Sequence, residues 1–190
     1  MNPLEAAGTA LGLANLWLTR QQNILCWPVG IACVICYGFV FAEARLYSDL
    51  LLQGVYIVLQ AYGWWLWARG ARRARHTLIS ERPITRLSAG AWMIWLTVAA
   101  GGAAVLGTLM AAYTRADLPY WDAAPTTLSL IAQYLQAKKV LDSWALFIAA
   151  NVIFIGVYLV KDLHLTAGLF AVSTVLAVSG WFAWRAALAR

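Results

Sequence analysis

Gly63-Trp64-Trp65-Leu66-Trp67 and Gly180-Trp181-Phe182-Ala183-Trp184 both read G-W-x-x-W, and each closes a long apolar run of the chain. A tryptophan, Trp27 or Trp144, stands 37 residues before the first tryptophan of each motif. A gapless offset of 117 positions superposes 11–67 on 128–184 and makes 15 of those 57 positions identical. Chance in so biased a composition would give roughly 5 identities. The sequence therefore predicts two diverged copies of one structural unit.

The composition places both copies in a membrane. Of 190 residues, 63% are hydrophobic and 12% are charged, and the mean hydropathy is +0.69. Soluble domains have about 45–50% apolar and about 25% charged residues, and one of this length could not bury so much apolar surface. The composition thus excludes intrinsic disorder, a secreted disulfide scaffold and an ordinary soluble enzyme, and it favours an integral membrane protein.

Seven apolar runs have the length of membrane-spanning helices, for which about 17–25 residues are needed. They are 4–20, 23–42, 48–68, 89–112, 123–140, 143–160 and 163–185. Charged residues mark their ends, and most connections are only a few residues long. The predicted fold class is therefore all-α, an integral membrane protein with seven transmembrane helices.

The fourth run accounts for the odd number of helices. Two three-helix units joined directly would be inverted, whereas one linking helix gives both units the same orientation. The predicted order is 3+1+3, with parallel repeats about an axis normal to the membrane. The expected parts are a first three-helix bundle at 1–68, a basic cytoplasmic loop at 69–88, a linker helix and outer loop at 89–122, and a second bundle at 123–190. Gly101, Gly102 and Gly107 predict that the linker packs closely against another helix.

Lysines and arginines are distributed unequally between the two ends of the spans, which predicts the orientation. Eleven lie on one side (Arg20, Arg69, Arg72, Arg73, Arg75, Arg82, Arg86, Lys138, Lys139, Arg185 and Arg190) and three on the other (Arg45, Arg115 and Lys161). The N-terminus is therefore expected outside and the C-terminus in the cytoplasm. The N-terminus carries Glu5 and has no basic residue before the first run, unlike a cleavable signal peptide. The Arg-rich loop is interpreted as a topology signal in contact with anionic lipid rather than as a nucleic-acid site.

The chain lacks the groups on which catalysis or metal binding depends. It has no HExxH, GxSxG or Walker motif, and no pair of carboxylates lies inside a span. Cys26, Cys33 and Cys36 are interpreted as small buried hydrophobic residues. Proton coupling usually requires Asp, Glu or His deep in a span, and none lies there. The sequence therefore predicts no enzyme, no cofactor and no metal site, and it favours passive movement of a solute over pumping.

Uncharged polar and aromatic side chains, by contrast, recur at helical spacing within the spans. The third span carries Gln53, Tyr56, Gln60, Trp64 and Trp67; the fifth carries Thr126, Ser129, Gln133 and Gln136; the sixth carries Trp144, Asn151 and Tyr158; the seventh carries Thr166, Ser173, Trp181 and Trp184; and Asn15 lies in the first. Amides and hydroxyls in hydrocarbon need partners, so these faces predict a wet or ligand-filled cavity. The candidate substrate-binding residues are Gln53, Tyr56, Gln60, Trp64, Gln133, Trp144, Asn151, Trp181 and Trp184.

Two other interpretations compete with a binding cavity. Hydrogen bonds between helices would also account for Gln53, Gln60, Gln133 and Asn151. Trp67 and Trp184 lie beside Arg69 and Arg185, where a belt of aromatic side chains is expected at the membrane interface.

The ligand chemistry follows from the residue types. Indole faces, amides and hydroxyls without buried carboxylates suit a flat aromatic ligand that bears a sugar or an alcohol, and indoles attract a delocalised cation. The expected partners are a small cationic aromatic vitamin or nucleoside and the lipid bilayer, with no nucleic acid. Whether the chain forms a homo-oligomer is left open by the sequence.

Several segments resemble the Pnu family of bacterial vitamin transporters. They are LYSDLLLQ at 46–53, YGWWLW at 62–67, YWDA at 120–123, LSLIA at 128–132 and the stretch 138–153. The resemblance covers nearly the whole chain and is weakest in the basic loop and the linker helix. It implies a full-length relative of the SWEET sugar carriers, located in the bacterial inner (cytoplasmic) membrane.

The resemblance also implies an activity and a set of site residues. It implies nicotinamide riboside uptake by facilitated diffusion, with alternating access between two bundles and trapping of the substrate by intracellular phosphorylation. Thiamine or riboflavin, carried by other members, is the alternative substrate. The family's W-x-x-W motif maps onto Trp181 and Trp184, its glutamine in the third helix onto Gln53, its asparagine in the sixth helix onto Asn151, and the tryptophan that begins that helix onto Trp144.

Overall fold

The computed structural model describes residues 3–43, 47–71, 78–79, 82–114 and 118–189, and this part of the chain contains seven helices. They are α1 (Pro3–Arg20), α2 (Cys26–Glu43), α3 (Tyr47–Ala71), α4 (Ala89–Tyr113), α5 (Pro119–Ala137), α6 (Ser143–Val160) and α7 (His164–Leu188). The predicted all-α class is therefore confirmed. Of the charges used to predict orientation, Arg45, Arg72, Arg73, Arg75, Arg115 and Arg190 lie outside the described residues, as does Leu46 of the family-like segments.

The largest departure from the predicted spans is in α5, which was expected at 123–140. The helix begins earlier because Pro119 stands in its first turn, where the missing N–H of proline costs nothing. It ends earlier because Lys139 adopts a left-handed conformation with φ 57°, which no helix can include. Charge-free length located this helix correctly but could not predict either end.

Four helices, α2, α4, α6 and α7, are both long and apolar enough to cross a membrane by length and composition. The other three described helices carry most of the amides that the sequence singles out, including Asn15 in α1, Gln60 in α3 and Gln133 in α5. Their lower hydropathy therefore coincides with the polar faces on which a binding site was predicted.

The chain divides into two compact units, Met1–Pro83 and Ile84–Arg190. In the first unit α2 packs against both α1 and α3. In the second unit α4 packs against α5, α5 against α6, and α6 against α7. Its apolar core joins Ala99 of α4 to Ile131, Ala132, Leu135, Val140 and Leu146. The linker helix thus forms part of the second unit.

Two of the three glycines that the sequence analysis singled out in the linker explain how α4 approaches α5. A Cβ on Gly102 would lie 2.8 Å from the methyl group of Thr127, and one on Gly107 would overlap the ring of Tyr120. Around Gly101 there is nothing within 4 Å. The prediction of close packing through small residues is therefore confirmed at Gly102 and Gly107.

The repeat is visible in the backbone as well as in the side chains. Gln22, in the turn between α1 and α2, and Lys139, in the turn between α5 and α6, are 117 positions apart and both have φ 57°. The N–H of Ile24 donates to the carbonyl of Leu78 at 2.9 Å, and the N–H of Leu141 donates to the carbonyl of Thr85 at 2.8 Å. Both turns therefore satisfy an equivalent N–H with a carbonyl from a segment that precedes α4.

Candidate functional site

Each unit contains a pair of buried tryptophans at equivalent positions. The rings of Trp27 and Trp67 meet edge to face, with centroids 5.3 Å apart and an interplanar angle of 83°. Trp144 and Trp184 repeat this arrangement at 5.5 Å and 89°. All four side chains are fully buried. Such edge-to-face pairs stabilise packing beyond the area they bury, so each pair ties the second helix of its unit's repeat to the third.

The glycine of each G-W-x-x-W motif makes room for one of these rings. A Cβ on Gly180 would lie 2.6 Å from the ring of Trp144, and a Cβ on Gly63 would overlap the ring of Trp27. Gly63 and Trp67 are four residues apart and therefore share one face of α3. The motif thus encodes a tryptophan socket made of its glycine and its second tryptophan.

The predicted interfacial position of Trp67 and Trp184 is wrong, because both rings lie inside their units rather than at a surface. Their neighbours in sequence, Arg69 and Arg185, do not bring them outward, since a side chain two residues on lies about 200° around the helix and the next side chain about 100°. The described part of the first unit has three exposed tryptophans, Trp64 and two that lie beside an arginine, Trp17 and Trp65. The guanidinium groups of Arg20 and Arg69 lie 4.7 and 3.7 Å from their respective ring centroids, as expected for interfacial aromatics beside cations.

The first unit buries one of its candidate binding residues and leaves the others more accessible. Gln60 is only 6% exposed, and its Oε1 has no hydrogen-bond partner among the described residues. Gln53 and Tyr56 are half-buried, whereas Trp64 is 42% exposed. Trp64 points away from the tryptophan socket because it follows Gly63 by one residue, about 100° around the helix. The predicted common face of α3 is therefore buried at Gln60 and open at Trp64.

In the second unit the candidate amides are buried and one indole is partly accessible. Gln133 and Asn151 are each 8% exposed, and Trp181 is half-buried. Trp144 and Trp184 lie in the edge-to-face pair and offer no surface to a ligand. The structure therefore separates the two tryptophans of the motif: Trp181 is partly accessible, and Trp184 is part of the packing.

The amides of the two units do not occupy equivalent positions. At the offset of 117, Asn15, Gly30 and Gln60 correspond to Ala132, Phe147 and Ala177, whereas Gln133 and Asn151 correspond to Leu16 and Val34. Gln53 corresponds to Phe170, whose ring lies 4.8 Å from that of Phe154 and 5.3 Å from that of Tyr158. The repeats have therefore kept their tryptophan packing while their polar residues have diverged.

Sequence reasoning missed two residues that shape this region. Gly30 was not singled out, although a Cβ there would overlap the amide of Gln60 and lie 2.6 Å from Nδ2 of Asn15. Gly63 was recognised only as part of a repeated motif. Comparison of the two repeats could have identified Gly30. Its counterpart in the second repeat is the bulky Phe147, and the two amides that border it, Asn15 and Gln60, have alanines as their counterparts.

Ionic groups are found at the ends of helices rather than among these amides. Nζ of Lys161 lies 2.8 Å from Oδ2 and 3.0 Å from Oδ1 of Asp122, which joins the end of α6 to the start of α5. Within the described ranges, no three His, Cys, Asp or Glu side chains are close enough to hold a metal ion. The buried groups can donate and accept hydrogen bonds and present ring faces, which suits reversible binding of an aromatic polar solute.

Comparison with known proteins shows that the chain is similar to transporters. The model of a family described as nicotinamide mononucleotide transporter matches residues 2–186. The chain is 25% identical to the nicotinamide riboside transporter PnuC of Escherichia coli (strain K12), over 95% of this chain and 84% of that protein. It is 26% identical to the riboflavin/roseoflavin transporter RibM of Streptomyces davaonensis, over 78% of this chain and 68% of that protein.

A solved structure shares the fold. The crystal structure of the vitamin B3 transporter PnuC superposes with a TM-score of 0.78 and covers 100% of this chain and 84% of that chain, at 21% sequence identity. The seven-helix architecture predicted from the apolar runs and the repeat is therefore found in a solved protein.

Proposed function

Since the chain belongs to the nicotinamide mononucleotide transporter family, we propose that it carries nicotinamide riboside into the cell by facilitated diffusion. The substrate would cross by alternating access involving the two three-helix bundles and would be trapped inside by phosphorylation. The chain itself acts as a carrier and not as an enzyme, because it supplies amides and indoles where catalysis would require ionisable groups.

The observation that carries this proposal is the burial of uncharged amides within apolar units. Gln60, Gln133 and Asn151 are each at most 8% exposed, and a buried amide costs free energy unless it has a partner. A neutral carboxamide and ribose hydroxyls offer such partners. A positively charged pyridinium ring is attracted to indole faces, and nicotinamide riboside combines all three features.

The candidate residues divide into two roles. Gln53, Tyr56, Gln60, Gln133 and Asn151 are proposed to hydrogen-bond the substrate. Trp64 and Trp181, which keep accessible ring surface, are proposed to contact its aromatic ring. Trp144 and Trp184 are proposed to act as positioning residues, because they pack against each other and hold the helix that carries Trp181.

Riboflavin is the second candidate substrate, and the similarity to RibM over 78% of the chain favours it. Thiamine, also cationic and aromatic with a hydroxyl, is the third. Nicotinamide riboside is preferred because the similarity to the nicotinamide riboside transporter PnuC of Escherichia coli extends over 95% of the chain.

We propose a bacterial inner-membrane location with the N-terminus outside and the C-terminus in the cytoplasm. The unequal distribution of Lys and Arg supports this orientation. A cysteine placed at Leu4 in a variant without the three native cysteines would test it. Labelling by an impermeant thiol reagent added to intact spheroplasts is expected, and labelling only after lysis would overturn the orientation.

Uptake into proteoliposomes without an ion gradient tests the transport proposal. Purified protein should give saturable nicotinamide riboside flux that stops at equal concentrations. Trp181→Ala should reduce this flux strongly, whereas Trp121→Ala, at an exposed position near the start of α5, should not. Absence of saturable flux, or strict dependence on protons or sodium, would contradict the proposal.

A thermal-shift panel distinguishes the three vitamins. A ligand that binds only the native protein raises its apparent stability by mass action. Nicotinamide riboside should raise the melting temperature at lower concentration than thiamine or riboflavin. If riboflavin alone gives a shift, the second candidate replaces the first.

A further inference from the structure

The first unit contains a buried amide that its own packing leaves unsatisfied. Gln60 is 6% exposed, and its Oε1 is shielded from solvent without a hydrogen-bond partner in the described ranges. A buried acceptor in this state costs free energy that an apolar residue of similar size would not. Packing alone therefore gives no reason for a glutamine at this position.

Gly30 on α2 provides the space into which this amide reaches. An added Cβ would overlap Nε2 of Gln60 and lie 2.6 Å from Nδ2 of Asn15. Asn15 is held in place on α1, because its Nδ2 donates to the carbonyl of Cys26 at 2.6 Å. One glycine backbone is thus bordered by two amides from the two flanking helices.

The second unit shows that the same fold can fill this place with hydrocarbon. The counterparts of Asn15, Gly30 and Gln60 are Ala132, Phe147 and Ala177. Phe147 packs against the core that contains Ala132, and Ala177 is fully buried. All three positions therefore differ between the units: the second has two alanines and a phenylalanine where the first has two amides and a glycine.

We propose that Asn15, Gly30 and Gln60 form a hydrogen-bonding subsite for a neutral N–H or O–H donor of the transported solute. Gln60 accepts the hydrogen bond through Oε1, Gly30 leaves the space that the Nε2 end of the same amide occupies, and Asn15 borders that space. This inference rests on the proposed transport function and goes beyond it, since it assigns a substrate group to residues of one unit. The donor is either a ring carboxamide or a ribose hydroxyl, which share this chemistry.

Binding measurements on the full chain in detergent test the subsite. The variants are Gln60→Leu and Gly30→Ala, and the matched control is Gly38→Ala, on the same helix, where a Cβ makes ordinary contact at 3.7 Å with Leu50. The probes are nicotinamide riboside, nicotinic acid riboside, which has no carboxamide N–H, and the deoxy analogues of the ribose. Gln60→Leu and Gly30→Ala should weaken nicotinamide riboside binding about tenfold, the value of roughly one hydrogen bond, and Gly38→Ala should not.

The analogues identify the donor. If Gln60 accepts from the carboxamide, Gln60→Leu leaves the affinity for nicotinic acid riboside unchanged and still weakens the deoxy analogues. If Gln60 accepts from a ribose hydroxyl, Gln60→Leu instead leaves unchanged the affinity for the deoxy analogue that lacks this hydroxyl. Either pattern supports the subsite, whereas an equal loss for every probe, or no loss for any, overturns it.

The stability of the ligand-free protein gives an independent measurement. Gln60→Leu should raise the melting temperature, because it removes an unsatisfied buried amide. A lower melting temperature for Gln60→Leu would mean that the protein already supplies a hydrogen-bond partner for the amide, and this result would overturn the subsite. If the wild-type chain binds none of the vitamins, the proposed function fails, whereas the melting temperature still decides whether Gln60 is an unsatisfied group.

Discussion

The ring of Trp27 lies against Gly63 where any other residue would place its Cβ, and the ring of Trp144 lies against Gly180 in the same way. Each ring then meets a second tryptophan, four residues beyond the glycine, edge to face. Close approach of an indole to a helix backbone is possible only at glycine. This relationship explains why the motif recurs in both units although most of the surrounding sequence has diverged.

The first prediction concerns these glycines. Gly63→Ala and Gly180→Ala should each lower the free energy of unfolding by about 1–3 kcal/mol, since the rings they would displace are fully buried. Gly54→Ala and Gly168→Ala are matched controls on the same two helices, with nothing within 4 Å of the added Cβ. Thermal unfolding in detergent measures all four, and equal melting temperatures for a test variant and its control would contradict the socket.

The second prediction separates the two tryptophans of the W-x-x-W motif. Trp184→Ala should destabilise the protein by about 3–5 kcal/mol, because it removes a fully buried ring. Trp181→Ala should have a smaller effect on stability and a larger effect on transport per folded molecule. Phe182→Ala, at an exposed position between them, serves as the control for both measurements. The assignment fails if Trp181→Ala melts earlier than Trp184→Ala.

The third prediction concerns the turn between α6 and α7. Asp162 has φ 58°, a conformation that glycine adopts without strain. Asp162→Gly should therefore raise stability by roughly 0.5–1 kcal/mol. Asp162→Ala removes the same carboxylate without relieving the backbone, so only the glycine variant should melt at a higher temperature. A gain in both variants would attribute the effect to charge instead.

The fourth prediction concerns the ion pair of Asp122 and Lys161, whose side chains are 20% and 27% exposed. A double-mutant cycle with Asp122→Asn and Lys161→Met should give a coupling of about 0.5–1 kcal/mol, reduced by added salt. Chemical or thermal unfolding of the four proteins provides the measurement. A coupling near zero at low salt would show that the observed contact contributes nothing to stability.

The helices could be predicted from the sequence because their determinants are local. Apolar length and charged ends located all seven, and the offset of 117 positions identified the repeat. Helix ends were less predictable where backbone conformation decides them, as at Lys139. Close packing of α4 was predicted from Gly101, Gly102 and Gly107, although only Gly102 and Gly107 account for it.

The candidate site was only partly predictable, for a different reason. Helical spacing identified the amides of α3 and α5, but it could not show which members of a face are buried. Trp64 and Trp67 share a predicted face, yet one is 42% exposed and the other is fully buried. Which of the two tryptophans is buried depends on the position of Trp27 on the neighbouring helix. The residue pattern of α3 alone gives no information about that position.

Residue type and order alone determined the membrane environment, the number of helices and the duplication, because the cost of polar groups in lipid acts on each helix separately. Only the tertiary structure decided which tryptophans are packing and which are accessible. It also showed that Gly30 is bordered by two amides, where its counterpart Phe147 packs into an apolar core. The physical reason is that such contacts depend on the distance and rotation between neighbouring helices, which side chains from several segments set together.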